Sequence, residues 1–395
     1  MVRTVGTTVR GIRAPIIKEG DDPARTVVDS VTAAMASGNF GLEDRDVIGI
    51  TESFVARAQG NYASLEDIAY DVKRKFTGDI AVIFPILSRN RFSMVLKGIS
   101  MGAQRVYLLL KYPSDEIGNP LMDFEIMDQA GINPYTDVLS EDKYRKLFGD
   151  NVAHPFTGVD YVRHYKDTAV NDNIKIYLAN NPTAALNYTK EVLTADIHTR
   201  HRTKRVLKAA GAKTVYGLDD ILTESVNGSG YNPEFGLLGS NKATEDKVKL
   251  FPRGCKTVVD DVQRAILEKT GKHVEVMIYG DGAFKDPQCK IWELADPVVS
   301  PGYTDGLRGT PSEIKIKYIA DNDFNGLEGS EKAEAVKARI RQKGNNLLGR
   351  DEALGTTPRQ LTDLLGSLCD LTSGSGDKGT PIVLVQGYFD DFAKE

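Results

Sequence analysis

The sequence alternates between short runs of β-branched apolar residues and segments whose apolar residues recur at helical spacing. Runs of this kind occupy residues 80–86, 105–111 and 173–178, and each is followed by a segment long enough to form a helix. This alternation is typical of parallel strands in a sheet that is covered by helices. The sequence therefore predicts an α/β fold with a parallel sheet in this part of the chain.

Two helix starts carry recognisable capping residues. Asp22 can cap a helix over residues 23–38, which has proline in its first position. Ser64 and Asp67 have capping-box spacing and open a helix that ends near Phe76, with aspartate in place of the usual glutamate or glutamine. Helices thus also precede the parallel-sheet region.

Apolar patterns in the rest of the chain predict further strands and helices. The predicted strands cover residues 5–17, 46–51, 246–251, 274–279, 314–319 and 381–386. The predicted helices cover residues 256–270, 330–342 and 358–371. Together these elements give a mixed α/β, or α+β, protein.

Composition excludes several functional classes. The 395 residues carry 50 Lys and Arg against 55 Asp and Glu, without a long basic tract, which disfavours nucleic-acid binding through bulk charge. The longest apolar runs are shorter than the ~18–20 residues of a membrane span, and no apolar stretch of a secretory signal follows the N-terminus. The chain has three cysteines, an odd number, and they are widely spaced, which favours reduced thiols in a cytoplasmic protein.

A glycine-rich segment at residues 372–379 contains a GxGxxG pattern at Gly374, Gly376 and Gly379. A dinucleotide fingerprint runs from strand to glycine loop to helix, whereas this segment follows a predicted helix and precedes a predicted strand. A dinucleotide-binding fold is therefore not indicated. The backbone N–H groups and Lys378 could still cradle phosphates, and a plain linker is the simpler alternative.

Asp281 lies between two glycines at the carboxyl end of a strongly apolar predicted strand. Open α/β sheets usually bind ligands at that end of a strand, and a carboxylate there suits Mg²⁺ or Mn²⁺. A turn aspartate that satisfies nearby N–H groups is the alternative.

Basic residues cluster at two places in the middle of the chain. Arg89 and Arg91 follow a predicted strand, where a helix N-terminus could bind an anion, and His198 and His201 lie on a predicted basic helix. Solvated surface side chains are the favoured explanation of both clusters. If they do bind a ligand, the sequence favours a phosphorylated one.

Several blocks of the sequence resemble the coenzyme F-420:γ-glutamyl ligase family in the same order along the chain. These blocks lie at residues 11–22, 46–60, 240–241, 245–252, 276–281, 306–310 and 373–387. The resemblance covers about residues 4–72 and 235–390. It implies a two-part ligase body of the γ-glutamyl ligase type at residues 1–77 and 229–395, with an inserted α/β region at residues 78–228.

The resemblance implies a GTP-dependent ligase that adds L-glutamate to a carboxylate of an F-420-0-type acceptor through an acyl phosphate. It further implies Mg²⁺ or Mn²⁺, a homodimer, Asp281 as the catalytic residue, and Asp281 with Gly282 at the metal. The residues that match the family's nucleotide contacts are Ala14, Pro15, Ile16, Ile17, Glu52, Ser53, Arg57, Asn241, Thr372, Ser373, Gly374, Ser375, Gly376, Asp377, Lys378 and Gly379.

Four positions depart from the family pattern. Leu238 stands where the family has an aspartate, Ser375 aligns with an acidic ligand, Gly282 replaces a threonine, and Arg57 replaces a lysine. Loss of two carboxylates removes hard oxygen ligands for a divalent cation. Two alternatives follow: a non-catalytic ligand-binding homologue that has lost the metal site, and a folate-type γ-glutamyl ligase.

Overall fold

A computed structural model describes residues 4–155, 157–280, 284–285, 292–293, 300–356, 359–373 and 377–394. The described residues group into two compact units. Unit one takes in the described parts of residues 1–58, 254–283 and 294–395, and unit two those of residues 59–253 and 284–293. Helices and strands are numbered below in chain order.

Unit one is built on a mixed sheet with helices on both faces. Its strands are β1 (Thr8–Ile12), β2 (Val47–Thr51), β12 (Glu275–Tyr279), β15 (Gly302–Tyr303) and β16 (Ile382–Gln386). Its helices are α1 (Pro23–Gly38), α2 (Glu52–Ala58), α9 (Cys255–Thr270), α10 (Ile316–Asn322), α11 (Gly329–Arg341) and α12 (Leu361–Ser373).

The strands of unit one run in the order β1-β16-β2-β12-β15. Strands β2 and β12 are parallel, and the other neighbouring pairs are antiparallel. Val276 and Ile278 point toward a core formed with α1 and α9, whereas Met277 and Tyr279 pack with α12 on the opposite face. The central strands are therefore buried on both sides.

Local sequence explains where the first helix of unit one begins and ends. Asp22 accepts a hydrogen bond from the backbone N–H of Arg25, and Pro23 occupies the first helical position. Asn39 adopts the left-handed conformation after Gly38 and closes the helix. The helix predicted over residues 23–38 is confirmed.

The described part of unit two contains a mainly parallel six-stranded sheet, a three-stranded sheet and one strand pair. Its strands are β3 (Tyr62–Ser64), β4 (Ile80–Ile83), β5 (Val106–Leu110), β6 (Leu139–Ser140), β7 (Ile174–Leu178), β8 (Glu191–Thr194), β9 (Thr214–Gly217), β10 (Asn241–Lys242), β11 (Lys247–Lys249), β13 (Phe284–Lys285) and β14 (Trp292–Glu293). Its helices are α3 (Leu65–Lys75), α4 (Phe92–Gly102), α5 (Phe124–Gln129), α6 (Glu141–Phe148), α7 (Tyr161–Asp167) and α8 (Arg200–Ala209).

The main sheet of unit two has the strand order β6-β7-β5-β4-β8-β9. Only its edge strand β6 runs antiparallel to its neighbour, among the described strands. Helices α3 and α4 pack closely, since a Cβ at Gly98 would lie 2.8 Å from Ile68. The parallel, helix-covered sheet that the alternation predicts is confirmed.

The capping box that the sequence predicts at the start of α3 is also present. The Ser64 hydroxyl accepts from the backbone N–H of Asp67, while the Asp67 carboxylate accepts from the backbone N–H of Ser64. The small sheet β10-β11-β3 then ties residues 62–64 to residues 241–249. This pairing explains why unit two begins before residue 78 and continues beyond residue 228.

One predicted strand is wrong. Residues 314–319 alternate isoleucine with lysine, which suits a strand, but residues 316–322 form helix α10. Ile314 and Ile319 are buried against Val336 and Ile340 of α11, and the segment pairs with no strand among the described residues. Packing on a neighbouring helix overrides the local alternation here.

Candidate functional site

The candidate site of unit one lies at one edge of its sheet. Strands β2 and β12 end there side by side, with Thr51 opposite Tyr279. Strand β1 ends there at Ile12, which pairs with Ile382 at the start of the antiparallel strand β16. The segments that follow β1 and β2 and the segment that precedes β16 are therefore brought to the same edge.

Backbone hydrogen bonds join these segments. The N–H of Ala14 donates to the carbonyl oxygen of Gly379 at 3.4 Å, and the N–H of Thr51 donates to that of Pro381 at 3.0 Å. The residues after β1 are thus linked to the end of the glycine-rich segment. The structure brings together predicted nucleotide residues that are more than 300 positions apart in the sequence.

Helix α2 supplies the predicted residues Glu52, Ser53 and Arg57. Glu52 is its first residue and directly follows β2, and it is only 5% exposed. Ser53 is half-buried, whereas Arg57 in the last turn is exposed. A carboxylate is therefore buried at the carboxyl end of the central parallel strand.

The segment Ala14, Pro15, Ile16 and Ile17 is mixed in its exposure. Ile17 is buried in the core of unit one, while the Ile16 side chain is 80% exposed. Ala14 is half-buried and Pro15 is exposed. The exposed Ile16 side chain, two residues after the Ala14 N–H that bonds to Gly379, therefore presents an apolar surface at the candidate site.

A groove of about 1010 Å³ runs along this part of unit one. It is lined by Gly11, Ile12, Arg13, Ala14, Pro15, Thr26, Asp29, Ser30, Ala33, Ala34, Ser37, Lys378 and Thr380. Binding clefts for small molecules typically have volumes of about 300–1,000 Å³, so the groove is large enough for a nucleotide. Arg13 and Lys378 supply positive charge to it.

The glycine-rich segment follows α12 and precedes β16, as the sequence predicts. Thr372 lies in the last turn of α12, where its hydroxyl donates to the Leu368 carbonyl oxygen at 2.7 Å, and Ser373, the last residue of the helix, is buried. Asp377, Lys378 and Gly379 are exposed, and Gly379 has a φ of 67° that favours glycine. The predicted residues Gly374, Ser375 and Gly376 lie outside the described residues.

Burial shapes the chemistry of the side chains below this segment. The Cys369 thiol of α12 and the Tyr279 phenol, which packs with α12, are both buried, and burial raises the pKa of both groups well above their ordinary values. Neither side chain carries charge at neutral pH. The predicted catalytic residue Asp281 and its neighbour Gly282 come after the end of β12 in the sequence and lie outside the described residues.

Two residues named from the sequence belong to unit two. Asn241 lies in β10 opposite Lys249 of β11 and is half-buried. Leu238 is 2% exposed and packs in the main core of unit two. Leucine at this position is therefore a core residue and not a ligand.

The basic residues that the sequence singles out also lie in unit two. Arg89 and Arg91 precede α4, so the predicted helix start is confirmed. His201 lies in the first turn of α8, whereas His198 precedes that helix. The described residues contain no group of three or more His, Cys, Asp and Glu side chains that could hold a metal ion.

Sequence reasoning missed the contribution of Thr380 and of α1. The Thr380 Oγ1 atom is buried without a hydrogen-bond partner among the described residues, and its side chain packs against Gly11. Thr26, Asp29 and Ser30 of α1 line the same groove. Small and polar residues on one face of α1 were the available sequence signal.

The profile of the family described as F420-0:γ-glutamyl ligase matches residues 11–387. The chain belongs to this family. The match to the F420-0:γ-glutamyl ligase family spans both units and therefore includes the whole segment between residues 73 and 234. No curated protein was found to match the chain. Among the described residues of this F420-0:γ-glutamyl ligase family member, no helix is long and apolar enough to cross a membrane.

Proposed function

We propose that the protein is a GTP-dependent ligase that forms an amide bond between L-glutamate and a carboxylate of an F420-0-type acceptor. Membership of the F420-0:γ-glutamyl ligase family supports the ligase class and both organic substrates. The structural observation that supports the nucleotide is the shared sheet edge. Ala14, Glu52 and Gly379 come from three separate parts of the chain and meet there.

The charges at this edge suit a nucleotide triphosphate. Lys378 lines the groove, and Arg57 is exposed on α2. Cationic side chains favour the phosphate oxygens, and backbone N–H groups of a glycine-rich segment supply further donors. Ile16, which is exposed beside the groove, offers an apolar surface for a base or sugar.

A divalent cation suits the acidic residues that follow β2 and β12 in the sequence. Mg²⁺ is commonly held by one or two carboxylates together with substrate phosphates. Glu52 is a buried carboxylate at the end of β2, and Asp281 follows the neighbouring strand β12 in the sequence. We assign Glu52 and Asp281 as the residues that would hold Mg²⁺ or Mn²⁺, which would stabilise negative charge on the phosphates.

The reaction then needs two displacements. The acceptor carboxylate attacks the γ-phosphorus of GTP, which forms an acyl phosphate and releases GDP. The glutamate amine attacks the acyl carbon, phosphate leaves, and the nitrogen loses a proton. In both steps the protein acts mainly by positioning the reactants and by compensating charge with Lys378 and Arg57.

The test is release of inorganic phosphate from GTP. We expect release only when Mg²⁺ or Mn²⁺, L-glutamate and an F420-0-type acceptor are all present. Asp281→Asn should lower kcat by at least ~10²-fold. Asp305→Asn is the matched control, because Asp305 is an exposed aspartate of unit one outside the proposed site.

The same assay distinguishes the alternatives. Turnover with a folate-type acceptor, but not with an F420-0-type acceptor, would show that the protein is a ligase whose acceptor is of the folate type. Nucleotide binding without any phosphate release would favour a non-catalytic homologue, which the departures at Leu238 and Ser375 make a specific alternative.

We further propose a homodimer, for which light scattering should give twice the mass of the chain.

A further inference from the structure

The main sheet of unit two has a point where its connections diverge. From β4 the chain passes through α4 to β5 on one side, and it later returns from β7 to β8 on the other side of β4. The segments that leave the carboxyl ends of β4 and β8 therefore run in opposite directions. Open α/β sheets bind ligands in the crevice at such a switch point.

Two buried carboxylates lie at this edge. Asp196 follows β8 and is 1% exposed, and the Glu116 side chain, in the segment after β5, is 5% exposed. Glu116 Oε1 accepts a hydrogen bond from the backbone N–H of Ile197 at 2.6 Å. The Glu116 carboxylate is thereby fixed beside the residue that follows Asp196.

Each carboxylate has one oxygen that is satisfied and one that is not. Asp196 Oδ2 accepts from the hydroxyls of Thr199 and Thr203 at 2.6 Å, but Asp196 Oδ1 has no hydrogen-bond partner within the described residues. Glu116 Oε2 also lacks one there. The hydroxyl of Thr194, the last residue of β8, is fully buried and equally without a partner in the described part of the chain.

Buried acceptors of this kind need donors, because a desolvated carboxylate oxygen without a partner is costly. Lys111 Nζ lies 3.9 Å from Glu116 Oε2, which is longer than a hydrogen bond. Burial raises the pKa of the Glu116 carboxyl, and the Asp196 charge adds to this rise against the opposing effects of the Ile197 N–H, Lys111 and His198. Neither Lys111 nor His198 donates a hydrogen bond to Glu116 Oε2 or Asp196 Oδ1, so within the described residues both oxygens still need a donor.

Lys111 adds a positive charge to this cluster of buried carboxylates. Its ammonium lies 5.3 Å from the centre of the Phe84 ring and makes no hydrogen bond with another described residue. A cation with free donors beside two carboxylates is complementary to a zwitterion, whose ammonium would meet the carboxylates and whose carboxylate would meet Lys111. No metal-ligating group of three or more acidic, cysteine or histidine side chains occurs in the described ranges, which disfavours a metal as the ligand.

We propose that unit two binds an α-amino acid at this crevice, with its ammonium held by Glu116 and Asp196 and its carboxylate held by Lys111. The unsatisfied oxygens are buried in this structure, so the surrounding segments have to shift for the amino acid to reach them. The proposal concerns unit two alone and does not depend on ligase activity.

The experiment is a thermal-shift screen of the full chain with each of the twenty amino acids, followed by calorimetry of those that raise Tm. We expect at least one amino acid to bind, and Glu116→Gln and Asp196→Asn each to weaken it at least ~10-fold. Glu224→Gln, at an exposed residue of the same unit, is the matched control and should bind as the wild type does. An analogue without the amino group should not bind.

Several outcomes would overturn the proposal. These are no binding by any amino acid, unchanged affinity in both crevice variants, equal binding of the analogue that lacks the amine, or Mg²⁺ binding that Glu116→Gln abolishes. Amino-acid binding that depends on Glu116 without phosphate release from GTP would instead reject the proposed ligase and keep this site.

A second measurement needs no ligand. Thr194→Val removes a buried hydroxyl that has no partner, and we expect Tm to stay equal or rise. A clear fall in Tm would show that the hydroxyl is already satisfied in the free protein and would contradict the unsatisfied cluster.

Discussion

Thr51 and Tyr279 lie opposite one another at the carboxyl ends of the parallel strands β2 and β12. The next residue after Thr51 is Glu52, and the chain beyond Tyr279 leads through Gly280 to Asp281. Parallel strands end at the same edge of a sheet, so their following residues share one side of unit one. This register places Glu52, one of the acidic residues of the proposed ligase, at that edge.

Glu52→Gln should impair the proposed reaction with little change of fold. The substitution keeps the size of a buried side chain but removes the negative charge that would hold a divalent cation. We expect kcat/KM for GTP to fall ~10²-fold in a phosphate-release assay. Glu331→Gln, at an exposed glutamate of α11, should keep full activity, and an equally active Glu52→Gln would remove Glu52 from the site.

Lys378→Ala should weaken nucleotide binding. Lys378 is exposed and lines the groove beside Ala14 and Pro15, so its ammonium can compensate phosphate charge. Calorimetry with GTP and Mg²⁺ should show about a 10-fold higher Kd, and Lys378→Arg should recover part of the affinity. The exposed Lys317→Ala serves as the control, and a Kd that does not distinguish it from Lys378→Ala would argue against this binding mode.

Gly49→Ala should destabilise unit one. A Cβ at this position of β2 would overlap the Cys369 Sγ atom of α12, which is fully buried. Overpacking of this kind costs about 1–3 kcal/mol in the free energy of unfolding. Adding Cys369→Ala to Gly49→Ala should recover part of the lost free energy of unfolding, as measured by urea denaturation.

Gly41→Ala is the control for this pair, because a Cβ at Gly41 would meet nothing within 4 Å. The double variant tests the contact itself, since two residues that touch should not have additive effects. Equal losses with and without Cys369→Ala would show that the thiol is not the obstacle.

His164 should make the stability of unit two lower at acidic pH than at neutral pH. Its Nε2 atom lies 2.5 Å from the Ser93 Oγ, and burial together with the charge of Arg89 lowers the pKa of the imidazole. The folded protein then binds fewer protons than the unfolded chain, so stability falls as the pH drops below the unfolded value of about 6.5. Urea midpoints at pH 7.5 and 5.5 measure this effect.

His164→Gln should reduce the difference between the two urea midpoints. The exposed His201→Gln should leave that difference as it is in the wild type. If His164→Gln leaves the acid sensitivity unchanged, another group is responsible for it.

Much of the fold follows from local sequence. Asp22, Pro23 and the pair Ser64 and Asp67 mark helix starts because capping is a local hydrogen-bonding problem. The segment 314–319 shows the limit of local patterns. Its alternation fits a strand, yet Ile319 is buried against a neighbouring helix, and no sequence pattern reveals which surface is available to bury an isoleucine.

The candidate site was only partly accessible to sequence reasoning. Family resemblance pointed to Ala14, Glu52 and Lys378, but not to the β1-β16-β2-β12 order that brings them to one edge, because strand order depends on long-range pairing. Sequence reasoning also misses the buried hydroxyl of Thr380 and the carboxylates of Glu116 and Asp196. Their significance depends on whether each has a hydrogen-bond partner, which only the three-dimensional structure reveals.

The pairing of β1 with β16 has a consequence for how the protein is made. Strand β16 separates β1 from β2, so Thr8–Ile12 gains its neighbour only when residues 382–386 have left the ribosome. Until then the nascent chain carries apolar strand edges without partners, which are prone to aggregate. The main sheet of unit two is encoded between residues 80 and 217, so that sheet can assemble while unit one waits for its last strand.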